Sequence, residues 1–187
     1  MIERPPDLTA DGPVTIRAIR PSDSTALRAF YARLSDESRR TRFFGLTSGI
    51  GESQATRFCT PDHDHREGFV AVVPDEDAAG DAAGDAAAAT ERIVGHVCLE
   101  PDGPDTADVS VAVADELRHR GIGRHLVDAA LGWARAEGLV ALSATMLADN
   151  PAIARLLTGL GLATVSRPVG ADVVALRILL DTKRPAA

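Results

Sequence analysis

Eight consecutive positions, 107–114, read Ala-Asp-Val-Ser-Val-Ala-Val-Ala, with small or polar side chains alternating with apolar ones. A two-residue period predicts a strand with Val109, Val111 and Val113 on one face and Asp108, Ser110 and Ala112 on the other. From Ile122 the period lengthens. Apolar residues recur at Leu126, Ala130 and Trp133, with Val127 and Ala134 widening the stripe, which predicts a helix to about Glu137 with Gly138 as its left-handed cap. Between strand and helix stand Arg118, His119, Arg120, Gly121, Ile122, Gly123 and Arg124. The two glycines let the backbone turn tightly and approach a ligand. Unpaired amides of a first helical turn, with the positive end of the helix dipole, suit an anion. The stretch predicts a turn that cradles phosphate.

The same reading extends along the chain. Residues 14–20 alternate as a strand, and Pro21-Ser22-Asp23-Ser24 opens a helix carrying Leu27, Phe30, Tyr31 and Leu34 on one side. Ser35-Asp36-Glu37 starts a second helix through Arg42, which Phe43-Phe44-Gly45 is expected to close against the core. A third short helix covers 51–59, and strands are predicted over 68–73 and 92–100. The stretch 101–105 (Pro-Asp-Gly-Pro-Asp) reads as a turn. After the central helix come a strand over 139–147, a helix opened by Asn150 and Pro151 and ended by Gly161, and strands over 162–165 and 173–180. The order β-α-α-α-β-β-β-α-β-α-β-β indicates an α+β domain around one central mixed, mostly antiparallel sheet flanked by helices. Residues 1–13, rich in proline and glycine, read as a flexible leader to a single domain over 14–187. Residues 75–91 repeat Asp-Ala-Ala-Gly with no large apolar side chain and read as a disordered loop between two strands.

Composition narrows the class of partner. A net charge of -7 argues against a general nucleic-acid binder. Cys59 and Cys98 have no metal-ligand spacing, so a reduced cytoplasm fits better than a disulfide scaffold. No apolar run reaches about 18 residues, and no signal peptide is indicated, so no membrane partner is expected. His63 and His65 read as a polar loop, not a metal site. Nucleotide fingerprints fail on detail. Leu126 stands where a dinucleotide motif beginning at Gly121 needs its third glycine, and no Gly-x-x-x-x-Gly-Lys follows any strand.

Arg118-x-x-Gly121-x-Gly123, with a strand before it, a helix after it and Asn150 and Gly161-Leu162 downstream, resembles the acyl-CoA pyrophosphate motif of the GNAT superfamily of N-acetyltransferases. The resemblance covers roughly 14–180. Ile16-Arg17-Ala18-Ile19-Arg20-Pro21-Ser22-Asp23, Leu34-Ser35-x-x-Ser38-Arg39 and Arg42-Phe43-Phe44-Gly45 are similar to the acetyltransferase domain of bacterial protein-lysine acetyltransferases. The resemblance implies acetyl-CoA as cosubstrate, with no metal and with a protein lysine as acceptor. Amides over 119–124 (His119, Arg120, Gly121, Ile122, Gly123 and Arg124) would then hold the pyrophosphate, Arg118 or Arg120 would add charge-assisted bonds, and Val111, Ala112 and Val113 would pair with the pantetheine arm. Asn150 would bond the pantetheine region or simply cap its helix.

Amine chemistry requires a base, because a lysine amine of pKa about 10.4 is almost entirely protonated at neutral pH. In the resembling lysine acetyltransferases a Glu commonly stands at the position of Asp108 and serves as base. Asp108 is accordingly the first candidate, acting through a water. Its alternative reading is a solvated carboxylate at a strand end. Glu100, which shares a strand face with Val94, His96 and Cys98, is the second candidate base. Whether that face is also the face of Asp108 depends on hairpin register. Many family members protonate the leaving thiolate with a tyrosine seven residues beyond the Asn, where this chain has Leu157; its only tyrosine is Tyr31. A thiol of pKa about 8.5 leaves tolerably without an acid. A small-molecule amine acceptor, a weakly active acyl-CoA-binding module and a homodimer remain open.

Overall fold

A computed structural model describes residues 13–44, 49–75 and 91–180. The expected leader and Asp-Ala-Ala-Gly loop fall almost wholly outside these residues. The described elements are β1 (Thr15–Ala18), α1 (Ser24–Arg33), α2 (Asp36–Phe43), α3 (Glu52–Cys59), β2 (Glu67–Pro74), β3 (Glu91–Gly103), β4 (Thr106–Val113), α4 (Ile122–Ala136), β5 (Ala141–Leu147), α5 (Pro151–Leu160), β6 (Thr164–Pro168) and β7 (Val173–Leu179). The strands form one sheet in the order β1-β2-β3-β4-β5-β7-β6. Every neighbouring pair is antiparallel except β4 and β5. A parallel pair needs a crossover rather than a hairpin, and α4 supplies it.

Helix α4 lies across β2, β3 and β4 on one face, and α1 and α3 cover the other. The apolar stripe of α4 is Ile122, Leu126, Val127, Ala130, Leu131 and Ala134, all buried. Leu131 joins the six-residue pattern read from the sequence, and Trp133 is only partly buried. Gly95 on β3 explains how closely helix and sheet approach: a Cβ there would stand 2.8 Å from a Leu126 methyl. The end of α4 follows the predicted chemistry. Gly138 takes φ 74°, and the Leu139 amide reaches back to the Ala134 carbonyl at 2.9 Å.

Two local expectations are corrected. Phe43 packs on the core, but Phe44 does not. It caps α2 in the left-handed conformation (φ 56°), its amide on the Arg40 carbonyl at 2.8 Å, and its ring is 45% exposed. Gly45 lies outside the described residues. The expected turn at 101–105 is narrower. β3 continues through Pro101 to Gly103, and an irregularity in pairing absorbs Asp102 before a two-residue turn. The Asp102 carboxylate then accepts from the Ser143 hydroxyl on β5 at 2.6 Å, fastening the hairpin tip to the neighbouring strand. β6 begins two residues later than the sequence pattern indicates and is exposed throughout.

Candidate active site

β4 and β5 pair for only three positions, Thr106 with Ala141, Ala107 with Leu142 and Asp108 with Ser143. Beyond Asp108 they diverge. The other edge of β4 stays hydrogen-bonded to β3 through Val113, so the edge turned toward β5 is open from Val109 onward. The opening leads into a cleft of about 930 Å³, walled by residues 108–113 on one side and by Ala144, Thr145 and Met146 on the other. Residues of α2, the first turn of α4 and α5 complete it. Val111, Ala112 and Val113 therefore stand on an unpaired strand edge, where main-chain groups need a partner.

At one end of the cleft lies the turn into α4. Gly121 takes φ 84° and His119 φ 62°, both left-handed. Among the described residues no side chain caps the helix. The amides of its first turn have no carbonyl of their own helix to bond, while a Cβ at Gly121 would meet nothing within 4 Å and one at Gly123 only a Val113 methyl at 3.7 Å. An anion can approach this backbone closely, and the dipole of a 15-residue helix favours it.

The basic side chains here divide. Arg118 donates to the Ser38 hydroxyl on α2 at 2.6 Å and lies 3.4 Å from Asp115. Asp115 also accepts from the Ser35 amide (2.8 Å), the Ser35 hydroxyl (3.0 Å) and the Ser38 hydroxyl. Burial works against ionisation of Asp115, but these bonds and Arg118 outweigh it and hold the carboxyl below its ordinary value. Ser35 and Ser38 thus tie the start of α2 to the turn, a use the sequence pattern did not reveal. Arg124 donates to the Gly159 carbonyl at 2.8 Å, linking α4 to α5. Arg118, His119, Gly121, Ile122, Gly123 and Arg124 line the cleft, whereas Arg120 is exposed outside its lining. Asn150 lines it too. Its Oδ1 accepts from the amides of Ala152 at 3.2 Å and Ile153 at 3.5 Å, which is a helix cap.

The register of β3 with β4 settles the face question. Glu100 lies opposite Asp108, Cys98 opposite Ser110 and His96 opposite Ala112, so all six share one face of the sheet. The two candidate carboxylates differ in surroundings. Glu100 is bound by Arg57 of α3 at 2.5 Å and does not line the cleft. Asp108 lines it, at the point where β4 and β5 part. Burial raises its pKa above the ordinary carboxylate value, the Arg42 charge pulls it back and the Asp102 charge pushes it up further. Tyr31 is fully buried away from the cleft. Its hydroxyl pairs with His96 Nδ1 at 2.9 Å, and burial pushes its pKa up to about 12. His96 is also fully buried. Burial and the Arg42 charge bring its pKa down to about 3, so the ring is neutral. The side chain of Leu157 falls outside the described residues. In the 62–66 loop, Asp62 accepts from the amides of Asp64, His65 and Arg66, while His63 pairs with Glu67 at 2.9 Å.

A family model described as "Acetyltransferase (GNAT) family" matches residues 52–161, from the start of α3 to the glycine that ends α5. The chain belongs to the GNAT acetyltransferase family. It is an acetyltransferase, with acetyl-CoA as donor. Solved GNAT structures share the whole fold. The GNAT domain of S. lividans PAT is 24% identical, with 95% of this chain and 100% of that one covered and a TM-score of 0.74. The Salmonella typhimurium protein yncA, solved with its cofactor acetyl-CoA, is 18% identical over 93% and 96% of the two chains, with a TM-score of 0.66. A ribosomal-protein-S5-alanine acetyltransferase from Vibrio fischeri is equally similar, at 18% identity over 92% and 96%, with a TM-score of 0.66. In this GNAT chain the residues lining the cleft are the natural candidates for its chemistry.

Proposed function

We propose that the protein moves the acetyl group of acetyl-CoA directly onto a primary amine, a lysine side chain of a protein, with Asp108 as the base. The observation that carries the reading is one continuous path. Uncapped amides at the start of α4 and the open edge of β4 lie along one cleft that ends at a half-buried carboxylate. The pyrophosphate sits on the amides of residues 119–124. The two amides of the pantetheine arm bond the main chain over 111–113, and Asn150 lies beside that arm. The thioester then arrives next to Asp108. Asp108 takes a proton from the incoming ammonium through a water, and the free amine attacks the acetyl carbonyl carbon. The C–N bond forms, the C–S bond breaks, and coenzyme A leaves as a thiolate that takes up, through solvent, the second proton the attacking nitrogen sheds as it becomes an amide. With Tyr31 sealed beneath the sheet, departure relies on the acidity of the thiol itself.

The protein-lysine acceptor is supported by the resemblance of the 34–45 segment to protein-lysine acetyltransferases. In this chain that segment is the helix whose Ser35 and Ser38 grip the phosphate turn. The test has two parts. Labelled acetyl-CoA is incubated with the enzyme and either lysate proteins or a panel of small amines, and thiol release is followed. Label on lysine side chains at rates above those on the free amines is expected, and label confined to small amines would replace the acceptor class. Asp108→Asn is expected to lose turnover while keeping coenzyme A affinity.

A further inference from the structure

Arg42 is a half-buried cation with no ion pair among the described residues. It stands in the last turn of α2 and reaches over the polar face of the β3–β4 hairpin. Its Nη2 lies 3.6 Å from Cys98 Sγ, and its guanidinium sits 5.0 Å from the centre of the Phe43 ring. Its Nε is buried and has no hydrogen-bond partner among the described residues. No carboxylate among the described residues lies within ion-pair distance of it. A guanidinium in such a place is costly unless charge nearby compensates it.

The sheet register shows which groups share its face. Cys98, beneath the guanidinium, stands opposite Ser110, and the Ser110 hydroxyl is 3.5 Å from Asp108 Oδ2. Glu100, opposite Asp108, is closed off by Arg57 of α3. Asp102, at the hairpin tip, is held by Ser143 of β5. Beneath Arg42, Tyr31 of α1 and His96 of β3 are neutral and bonded to each other. Cys98 is buried and its thiol pushed up, first by that burial. Arg177 of β7, two strands from Asp108 along the same row, also has no ion pair among the described residues but is exposed and outside the cleft lining, whereas Arg42 and Asp108 both line it.

We propose that Arg42 is a positioning residue for the base, favouring the carboxylate form of Asp108 through the field of a guanidinium that has no ion-pair partner instead of through a direct bond. Apart from serine hydroxyls, such as that of Ser110 on Oδ2, the arrangement leaves the carboxylate oxygens open to the water and the incoming ammonium. A direct ion pair would occupy them. Burial works to raise the pKa of the carboxyl, and the guanidinium charge works against that rise. The proposal rests on Asp108 being the base.

The test titrates the Asp108 carboxyl by carbon NMR in the full-length enzyme, with the signal identified by its loss in Asp108→Asn. In Arg42→Met the proton affinity of Asp108 is expected to rise about tenfold, with the acid limb of kcat/KM moving to higher pH in step. Arg42→Lys, which keeps the charge, should return the midpoint to within about threefold of the native value. A folded Arg42→Met protein whose midpoint stays within that margin overturns the proposal. If the Met variant does not fold, Arg42→Gln is read the same way. Failure of both to fold while Arg42→Lys behaves as native would make the residue architectural and also overturn it. An acid limb that survives in Asp108→Asn removes the base assignment and this inference with it. A limb lost there but unmoved by Arg42→Met removes the inference alone.

Discussion

The β3–β4 hairpin has two faces built from the same two strands, and they solve different problems. One carries Val97, Leu99, Val109, Val111 and Val113, beside Gly95, and meets the apolar stripe of α4. The other carries His96, Cys98, Glu100, Asp108 and Ser110 and meets α1, α2 and α3. The first face works by area and shape, since burial of apolar surface needs no particular partner atom. On the second, most polar groups have an individual partner: Tyr31 for His96, Arg57 for Glu100, Ser143 for Asp102. Stability comes cheaply from one face of a strand pair, while the other holds polar chemistry only by assigning partners from distant parts of the chain.

The largest effect that would break this comparison is on the polar face. Asp108→Asn should lower kcat by about 10²–10⁴-fold with the affinity for coenzyme A retained. Isothermal titration beside a thiol-release assay separates the two, and native turnover in the variant would remove Asp108 from the mechanism. The same variant should be more thermostable than the native protein at neutral pH. Burial disfavours the carboxylate, so ionisation of Asp108 opposes folding once the pH rises above its ordinary value.

Next comes the apolar face. Leu126→Ala should cost about 2–5 kcal/mol in a urea unfolding series, because the side chain is fully buried against the sheet. A loss under about 1 kcal/mol would mean that α4 is held mainly by its ends.

Tyr31→Phe leaves His96 Nδ1 buried without a partner, for a cost of about 1–3 kcal/mol with kcat nearly unchanged. His96 also sets a pH dependence. Its folded pKa is depressed from 6.5 to about 3. Its contribution to stability is therefore full above about 6.5 and is lost progressively as the pH falls toward 3, where the unfolded chain takes up a proton that the folded ring refuses. The melting temperature of His96→Gln should fall less steeply than that of the native protein between pH 7 and 4.

The smallest effect is expected at Glu100. The ion pair with Arg57 is largely exposed on the arginine side, so Glu100→Gln should change stability by about 0.5 kcal/mol or less and leave kcat near native. A large fall in kcat would reverse the assignment of the two carboxylates.

Several parts of this molecule could be read from the chain because they depend on neighbours in sequence. The alternation at 107–114, the left-handed glycines 121, 138 and 161 and the Asn150-Pro151 helix start are decided by local dihedral freedom and hydrogen bonding, and the structure has all of them. The motif that resembles the family's pyrophosphate turn lies in the same stretch for that reason, since a strand-to-helix turn is a local object. The left-handed Phe44 was missed because a helix more often spends a glycine or asparagine on such a cap.

What decided the candidate site was long range. Two carboxylates eight residues apart, Glu100 and Asp108, are equivalent as a sequence pattern. They part company only because α3 brings Arg57 to one and the divergence of β4 from β5 opens a cleft at the other. The placing of Arg42 over Cys98, 56 residues away, has no trace in spacing or composition. Backbone geometry and helix ends are set by a few adjacent residues. The charge environment of a buried carboxylate is summed over every element packed around it, and only the tertiary structure performs that sum.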